Sequence, residues 1–250
     1  IIHMSKINKL NFSQKKFYKN NGYLLVENFI DKNKAQKIKK YALKKLAEKP
    51  NYPINLNVHR KNKVFFNIIS DKNLVKIVNQ LQNSKVVALN DQMIYKKRKT
   101  AYAGQSWTIH QDNAYIRAPK NSYIIAHLFL DDSTPKNGGL VFWAGSHKEG
   151  ILNFKVRKSH KEKISKKGIS RPGWRLKNDE IKKIRKKYKP IYIDGKSGSL
   201  CFMHGNLVHS STPNKSKSKD RATYSMAFLN KNAKFKGKGF NSVKVKYKLN

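Results

Sequence analysis

The sequence predicts an α+β domain, mainly β, in which short strands close into a sandwich or barrel behind a few N-terminal helices. Three observations carry this. Helical spacing of apolar residues is concentrated in the part of the chain before Val86. From Val86 onward, short apolar runs are separated by turns rich in Gly, Asn, Asp and Pro. No heptad, internal repeat or linker divides the 250 residues, a length that supports one sizeable core.

Taken in order, residues 12–20 read as a short helix with Ser13 as its N-cap. Asn21-Gly22 makes a turn into a strand at 23–26. Asp31 caps a second helix, where Ala35, Ile38, Ala42 and Leu46 keep one face apolar, and Pro50 ends it. Residues 51–67 have no clear period. Residues 71–81 are helical again, with Leu74, Val78 and Leu81 inward. Strands follow at 86–95, 123–130, 140–143, 191–193, 199–203, 207–210 and 222–229, with a loop at 96–106. An extended segment around His110 comes between that loop and the 123–130 strand. Residues 131–139 form a long turn. A late helix spans 178–188, capped by Asn178 or Asp179.

Twelve Tyr, twelve Phe and three Trp exclude a disordered chain. A lone Cys201 allows no intramolecular disulfide, which fits a reducing compartment, and a cytoplasmic location is expected. The longest apolar runs, such as 124–130, are strand-length, so no membrane partner is expected. His3-Met4 has the form of a cloning scar, so Met4 is the expected start and residues 4–250 the expected single domain. The final Tyr-Lys-Leu-Asn is not a peroxisomal address.

The net charge of +41 invites a nucleic-acid reading. Against it, only 8 of the 55 basic residues are Arg, and Asn is abundant. Lys and Asn excess together follows from an AT-rich genome, whereas a phosphate reader favours clustered Arg. Nucleic acid is therefore not the expected partner. One stretch stands out: residues 155–189 hold 16 basic and 3 acidic residues, far denser than the rest.

The chemistry centres on Trp107-Thr-Ile-His110-Gln-Asp112-Asn-Ala-Tyr115. If the segment is extended, His110 and Asp112 share a face. An imidazole and a carboxylate supply two ligands of a facial-triad Fe(II) site. His209, in Phe202-Met-His-Gly-Asn-Leu-Val-His209-Ser-Ser, is the candidate third. The open positions of such a site accept a bidentate α-keto acid and O2. A free carboxylate at the far end of that keto acid needs a fixed cation, and Arg221, on a strand beside Ala222 and Tyr224, is placed to supply a bidentate fork. The plainer readings are a surface pair for His110 and Asp112, a backbone-bonded core His for His209, and an edge-strand Arg221.

These motifs recur in a familiar order. His110-Gln-Asp112 is followed by Leu130-Asp-Asp, Asn137-Gly-Gly-Leu140 and Gly145-Ser-His147, then by Gly198-Ser-Leu-Cys-Phe-Met-His204, His209-Ser-Ser211 and Arg221. Phe17-Tyr-Lys-Asn-Asn-Gly22-Tyr-Leu-Leu-Val26 opens the series. In this the chain resembles the phytanoyl-CoA dioxygenase family of Fe(II)/2-oxoglutarate oxygenases, and within it the ectoine-hydroxylase-like members. The departures are Ala144 where the family usually has Pro before Gly-Ser-His, and the lack of a Trp near His127.

The resemblance implies a double-stranded β-helix, a cupin-like jelly-roll barrel with N-terminal helices packed on it. His110, Asp112 and His209 would hold iron. Arg221, with Ser211 beside it, would grip the distal carboxylate of 2-oxoglutarate, and Gln92 and His127 would line the cosubstrate pocket. Trp143, Asn113, Arg171 and Arg175 are the candidate substrate contacts, with Arg157 beside them in the basic stretch. His147 and His204 match motif positions in structural roles. Related iron halogenases lack the carboxylate ligand, so Asp112 favours hydroxylation, although desaturation or ring closure would use the same ligands. The expected substrate is a small polar or anionic metabolite. The alternatives are a basic nucleic-acid-binding protein on a barrel scaffold, or a 2-oxoglutarate oxygenase that acts on protein or RNA. The oligomeric state is not set by the sequence.

Overall fold

A computed structural model describes residues 7–46, 54–100, 102–104, 106–156 and 174–234. Its helices are α1 (Phe12–Asn21), α2 (Lys32–Lys45), α3 (Lys63–Ile69), α4 (Lys72–Gln82), the single turn α5 (Asn113–Ile116) and α6 (Asn178–Lys187). Its strands are β1 (Tyr23–Val26), β2 (Ile54–Leu56), β3 (Val86–Lys96), β4 (Trp107–His110), β5 (Tyr123–Phe129), β6 (Leu140–Trp143), β7 (Phe154–Val156), β8 (Trp174–Leu176), β9 (Pro190–Tyr192), β10 (Leu200–His204), β11 (His209–Ser211) and β12 (Arg221–Asn230).

Ten of these strands form two antiparallel sheets. The larger runs β1-β10-β5-β12-β3-β2 and the smaller β4-β11-β6-β9, while β7 and β8 make a separate ribbon. The large sheet has helices on its outer face and the small sheet on its inner face, which is the jelly-roll barrel expected above.

Period two along the strands divides the core into layers. On β12, Ala222, Tyr224, Met226 and Phe228 face the helices and pack with Ile38, Phe65, Leu74 and Ile77. Ala227 and Leu229 face inward and meet Phe129, Phe142, Cys201 and Met203 in the barrel. A third cluster, Val141, Trp143, Leu176, Ile184 and Val208, lies outside the small sheet, where α6 covers it.

Several sequence expectations need correcting. Asn11, not Ser13, caps α1, in a capping box with Gln14. The N-cap of α6 is Lys177, with no side-chain bond, so neither Asn178 nor Asp179 caps it. The chain segment lacking a period contains β2 and the seven-residue α3. So short a helix shows no repeat, because two turns cannot display one. Asp31 does cap α2, α4 starts at Lys72 because Asp71 is its N-cap, and Pro50 lies outside the described residues. Among the described residues no helix is long and apolar enough to cross a membrane.

Phe65 joins the helical layer to the sheet. It is fully buried, with ring centroids 5.1 Å from Tyr224 and 6.2 Å from Tyr41. Phe65→Ala should lower unfolding free energy by about 3–5 kcal/mol, read as a shift in the urea midpoint with no change in slope.

Candidate metal and cosubstrate site

The site lies at one end of the barrel, where the inward-facing residues turn from apolar to polar. His110 ends β4 and His209 begins β11, and the two are direct cross-strand partners. Their ring centroids are 4.1 Å apart. Asp112 meets both, with Oδ1 3.4 Å from His110 Nε2 and 3.7 Å from His209 Nε2. One ligand atom from each of the three residues lies within 4.8 Å of the others.

The route to this convergence is not the one the sequence suggested. The strand stops at His110, and Asp112 has helical dihedrals, φ −66° and ψ −33°, as the chain turns into α5. Asp112 therefore reaches His110 around a turn, and not by period two along a strand. The intervening Gln111 holds that turn. Its buried amide donates to the carbonyls of Gly150 (2.8 Å) and Asn206 (2.6 Å), and its Oε1 accepts from the Leu152 amide (2.8 Å). This role of the middle residue of His-Gln-Asp left no signal in the pattern.

Backbone carbonyls orient both imidazoles. His110 Nδ1 lies 2.7 Å from the Thr108 carbonyl and His209 Nδ1 lies 3.0 Å from that of Leu207. A carbonyl only accepts, so each Nδ1 carries a proton and Nε2 is the nitrogen each ring turns toward Asp112. Burial, reinforced by His110, pushes the His209 pKa down to about 4. Burial alone would raise the Asp112 carboxyl, but His209 and His110 outweigh it and hold it below the usual carboxylate range. Two imidazoles and one carboxylate on one face are the donor set that suits Fe(II).

The same cavity is lined by Gln92, Ile94, Trp107, His127, Leu140, Ser210, Ser211, Arg221, Thr223 and Ser225. Arg221 is 4% exposed and donates from an Nη to Thr223 Oγ1 at 2.9 Å, while its buried Nε has no hydrogen-bond partner among the described residues. Burial pushes its pKa down to about 10. The buried His127 Nε2 also lacks a partner there. A cavity with an orphaned guanidinium N–H beside a free-facing carboxylate and two imidazoles fits an anion and a metal together. The other motifs support this wall. Asp131 accepts from the Ala222 amide (2.9 Å) next to Arg221, and Asn137 bonds the Asp132 carbonyl (2.7 Å). Ser146 accepts from the Val208 amide (2.9 Å) beside His209.

Three proposed substrate contacts sit elsewhere. Trp143 faces the opposite side of β6 from Phe142, in the cluster outside the small sheet, because adjacent strand residues alternate. It neither faces the metal nor fills the barrel. The Asn113 amide is consumed by Ala118 and Asn206, so it holds the α5 turn. Arg175, on the β7–β8 ribbon, bonds Asn178 at 3.4 Å and lines no cavity given above. Arg157 and Arg171 lie outside the described residues. Arg185 from α6 was not singled out, yet it lines an outer groove with Trp143, Tyr192, Trp107, Ser210 and Ser211, and the last three also border the inner cavity.

With this geometry in hand, comparison with known proteins is direct. Residues 18–223 match the family model for phytanoyl-CoA dioxygenase. The chain belongs to the phytanoyl-CoA dioxygenase family. Human peroxisomal phytanoyl-CoA dioxygenase is 22% identical over 232 residues, covering 83% of this chain and 65% of the relative. Phytanoyl-CoA dioxygenase of Arabidopsis thaliana is 32% identical over 117 residues, covering 47% of this chain and 36% of the relative. The chain thus spans less than two thirds of these relatives. Among solved structures, the epimerase SnoN in complex with Fe3+, alpha ketoglutarate and nogalamycin RO has a TM-score of 0.74 at 14% identity, covering 93% of this chain and 88% of that one. EctD from S. alaskensis with 2-oxoglutarate and 5-hydroxyectoine also has a TM-score of 0.74 at 14% identity, covering 97% and 86%. At this identity the likeness establishes the shared jelly-roll fold.

The buried histidines set the response to acid. Burial pushes the pKa of His127 and of His204 down to about 3. The unfolded chain takes up those protons near pH 6.5 and the folded chain does not. Stability is therefore fully present above that pH and falls as pH drops toward 3, by roughly 1.4 kcal/mol per pH unit for each histidine. Denaturation of metal-free protein across a pH series checks this, and a His204→Asn variant should show a shallower decline.

Proposed function

We propose that this chain is an Fe(II)- and 2-oxoglutarate-dependent dioxygenase that hydroxylates a small anionic metabolite, with residues 4–250 acting as one catalytic domain. The observation that carries the reading is the convergence of His110, Asp112 and His209 at the mouth of a cavity that also buries Arg221. His110, Asp112 and His209 would hold the iron through two Nε2 atoms and one carboxylate oxygen. Arg221 and Ser211 would bind the distal carboxylate of 2-oxoglutarate, and Gln92 and His127 would border its chain. When bound, iron, 2-oxoglutarate and O2 supply the oxidant that removes hydrogen from a substrate C–H bond. The protein's part is orientation and dryness. Thr108 and Leu207 fix the imidazole tautomers, Gln111 fixes the Asp112 turn, and the apolar lower barrel closes the cavity to water.

A nucleic-acid-binding role on an inert barrel gives no account of the intact donor set. Asp112→Ala removes the anionic ligand and should abolish iron-dependent succinate release from 2-oxoglutarate while leaving the fold intact by circular dichroism. Turnover that survives in this variant, or salt-sensitive heparin retention with no turnover in the wild type, would remove the reading.

An anionic substrate is supported by a cation beside the mouth, Arg185. Residues 155–189 are the densest basic stretch, and Arg185 within it reaches the groove that borders the cavity. Low-dielectric walls around such a mouth concentrate anions and raise their on-rate. A carboxylate, phosphate or phosphonate on the substrate would be drawn there. The relatives and structural neighbours are named for ligands as different as phytanoyl-CoA, nogalamycin RO and 5-hydroxyectoine. With the true substrate, kcat/KM should fall steeply as ionic strength rises while kcat barely moves. A flat salt response would assign the charge to composition alone.

A further inference from the structure

Lys96 is the last residue of β3 and the direct cross-strand partner of Arg221. Side chains of such partners project to the same side of the sheet. On β3 the cavity-lining residues are Gln92 and Ile94, and Lys96 is the next position on that face. The side chain is fully buried. Its Nζ donates to Ser211 Oγ at 2.8 Å and to the Thr212 carbonyl. The chain turns tightly around its stem: a Cβ at Gly138, where φ is +97°, would stand 2.5 Å from Lys96 Cδ. This is a built position, and the Asn137-Gly-Gly139 turn is shaped to admit it.

Two cations set directly opposite each other at one sheet end destabilise that end by themselves. Burial, and then the Arg221 guanidinium, push the Lys96 pKa down to about 6. An anion bound at this corner would offset that penalty and hold Lys96 as the ammonium. The bonding at Ser211 supplies a route. A hydroxyl has one proton and two acceptor sites, and an ammonium can only donate. When Lys96 occupies an acceptor site on Ser211 Oγ, the serine proton is left to point away from it, toward the cavity that Ser211 and Arg221 line together.

We infer that Lys96 is a positioning residue for 2-oxoglutarate: it orients the Ser211 hydroxyl to donate to the distal carboxylate. This rests on the proposed role of Arg221 and Ser211 as the distal-carboxylate site. Lys96 touches Ser211 and not the cosubstrate, so its effect should run through that hydroxyl.

The test is anaerobic calorimetry on the Mn(II)-loaded protein, titrated with 2-oxoglutarate and with 2-oxopentanoate, which keeps the keto acid and lacks the distal carboxylate. Lys96→Met is near in volume and should weaken 2-oxoglutarate by roughly 10- to 100-fold, the range for one hydrogen bond to a charged group. Binding of 2-oxopentanoate should not change. In a Ser211→Ala background the further loss from Lys96→Met should largely vanish. Equal weakening of both ligands would make Lys96 a packing residue and overturn the inference. So would full additivity with Ser211→Ala, or unchanged 2-oxoglutarate affinity. If thermal unfolding shows that Lys96→Met does not fold, Lys96→Gln takes its place in the same titrations. Arg221→Lys separates the two levels, because it keeps the charge and loses the fork. If it lowers 2-oxoglutarate affinity and Lys96→Met does not, the inference fails and the site reading stands. If Arg221→Lys leaves the preference for 2-oxoglutarate over 2-oxopentanoate intact, the site reading itself fails.

Discussion

The arrangement depends on one strand pairing, that of β4 with β11, which sets His110 opposite His209. Paired residues in adjacent strands hold their side chains a few ångströms apart without any contribution from the side chains themselves. The sheet therefore brings two imidazoles together before any metal is present. Each ring is then locked by the carbonyl two residues earlier in its own strand or loop, Thr108 for one and Leu207 for the other. The repeated local bond gives both rings the same tautomer and aims both Nε2 atoms at Asp112. A site assembled this way needs little reorganisation to take an ion, because its cost lies in the backbone hydrogen bonds that form the barrel.

Everything else at this end serves to hold the remaining groups against that pair. Gln111 pins the turn that carries Asp112, Ser146 caps the amide next to His209, and Asp131 bonds the amide next to Arg221. Ser146 and Asp131 each satisfy a backbone amide one residue away from a functional side chain, and Gln111 is itself the residue between His110 and Asp112. The barrel divides its length accordingly. Inward positions on β12 run Arg221, Thr223, Ser225 and then Ala227, Leu229, so one strand passes from polar cavity wall to apolar plug. Lowered dielectric from the plug strengthens the electrostatics of the polar end.

Much of this was legible in the sequence, for reasons that can be stated residue by residue. Asp31 announces α2 because a capping carboxylate followed by helical spacing is a local signal. Arg221 stands out because it puts a charge on a strand beside Ala222 and Tyr224. Trp143 did not reveal its side, since β6 is buried on both faces and a strand buried twice shows no alternation. The spacing of His110 and Asp112 was a sound pointer drawn from an unsound geometry, since a turn and a strand can both bring residues two apart into contact.

Lys96 shows where composition hides a signal. The argument that singled out Arg221, a charge on an inward strand position, applies equally to Lys96 two residues beyond Ile94. It was assigned to a loop because Lys97, Arg98 and Lys99 follow it, and in a chain with 55 basic residues one more lysine carries no contrast. Burial separates it from those neighbours, which are exposed. A lysine placed by drift remains where its ammonium stays hydrated, since removing that charge from water is costly unless polar partners replace the solvent. Lys96 has those partners in Ser211 and Thr212 and shares its sheet end with a second buried cation. The charge on the surface can follow from nucleotide composition, but the pair inside the barrel requires an explanation from the chemistry of the cavity, and a dicarboxylate that enters it supplies one.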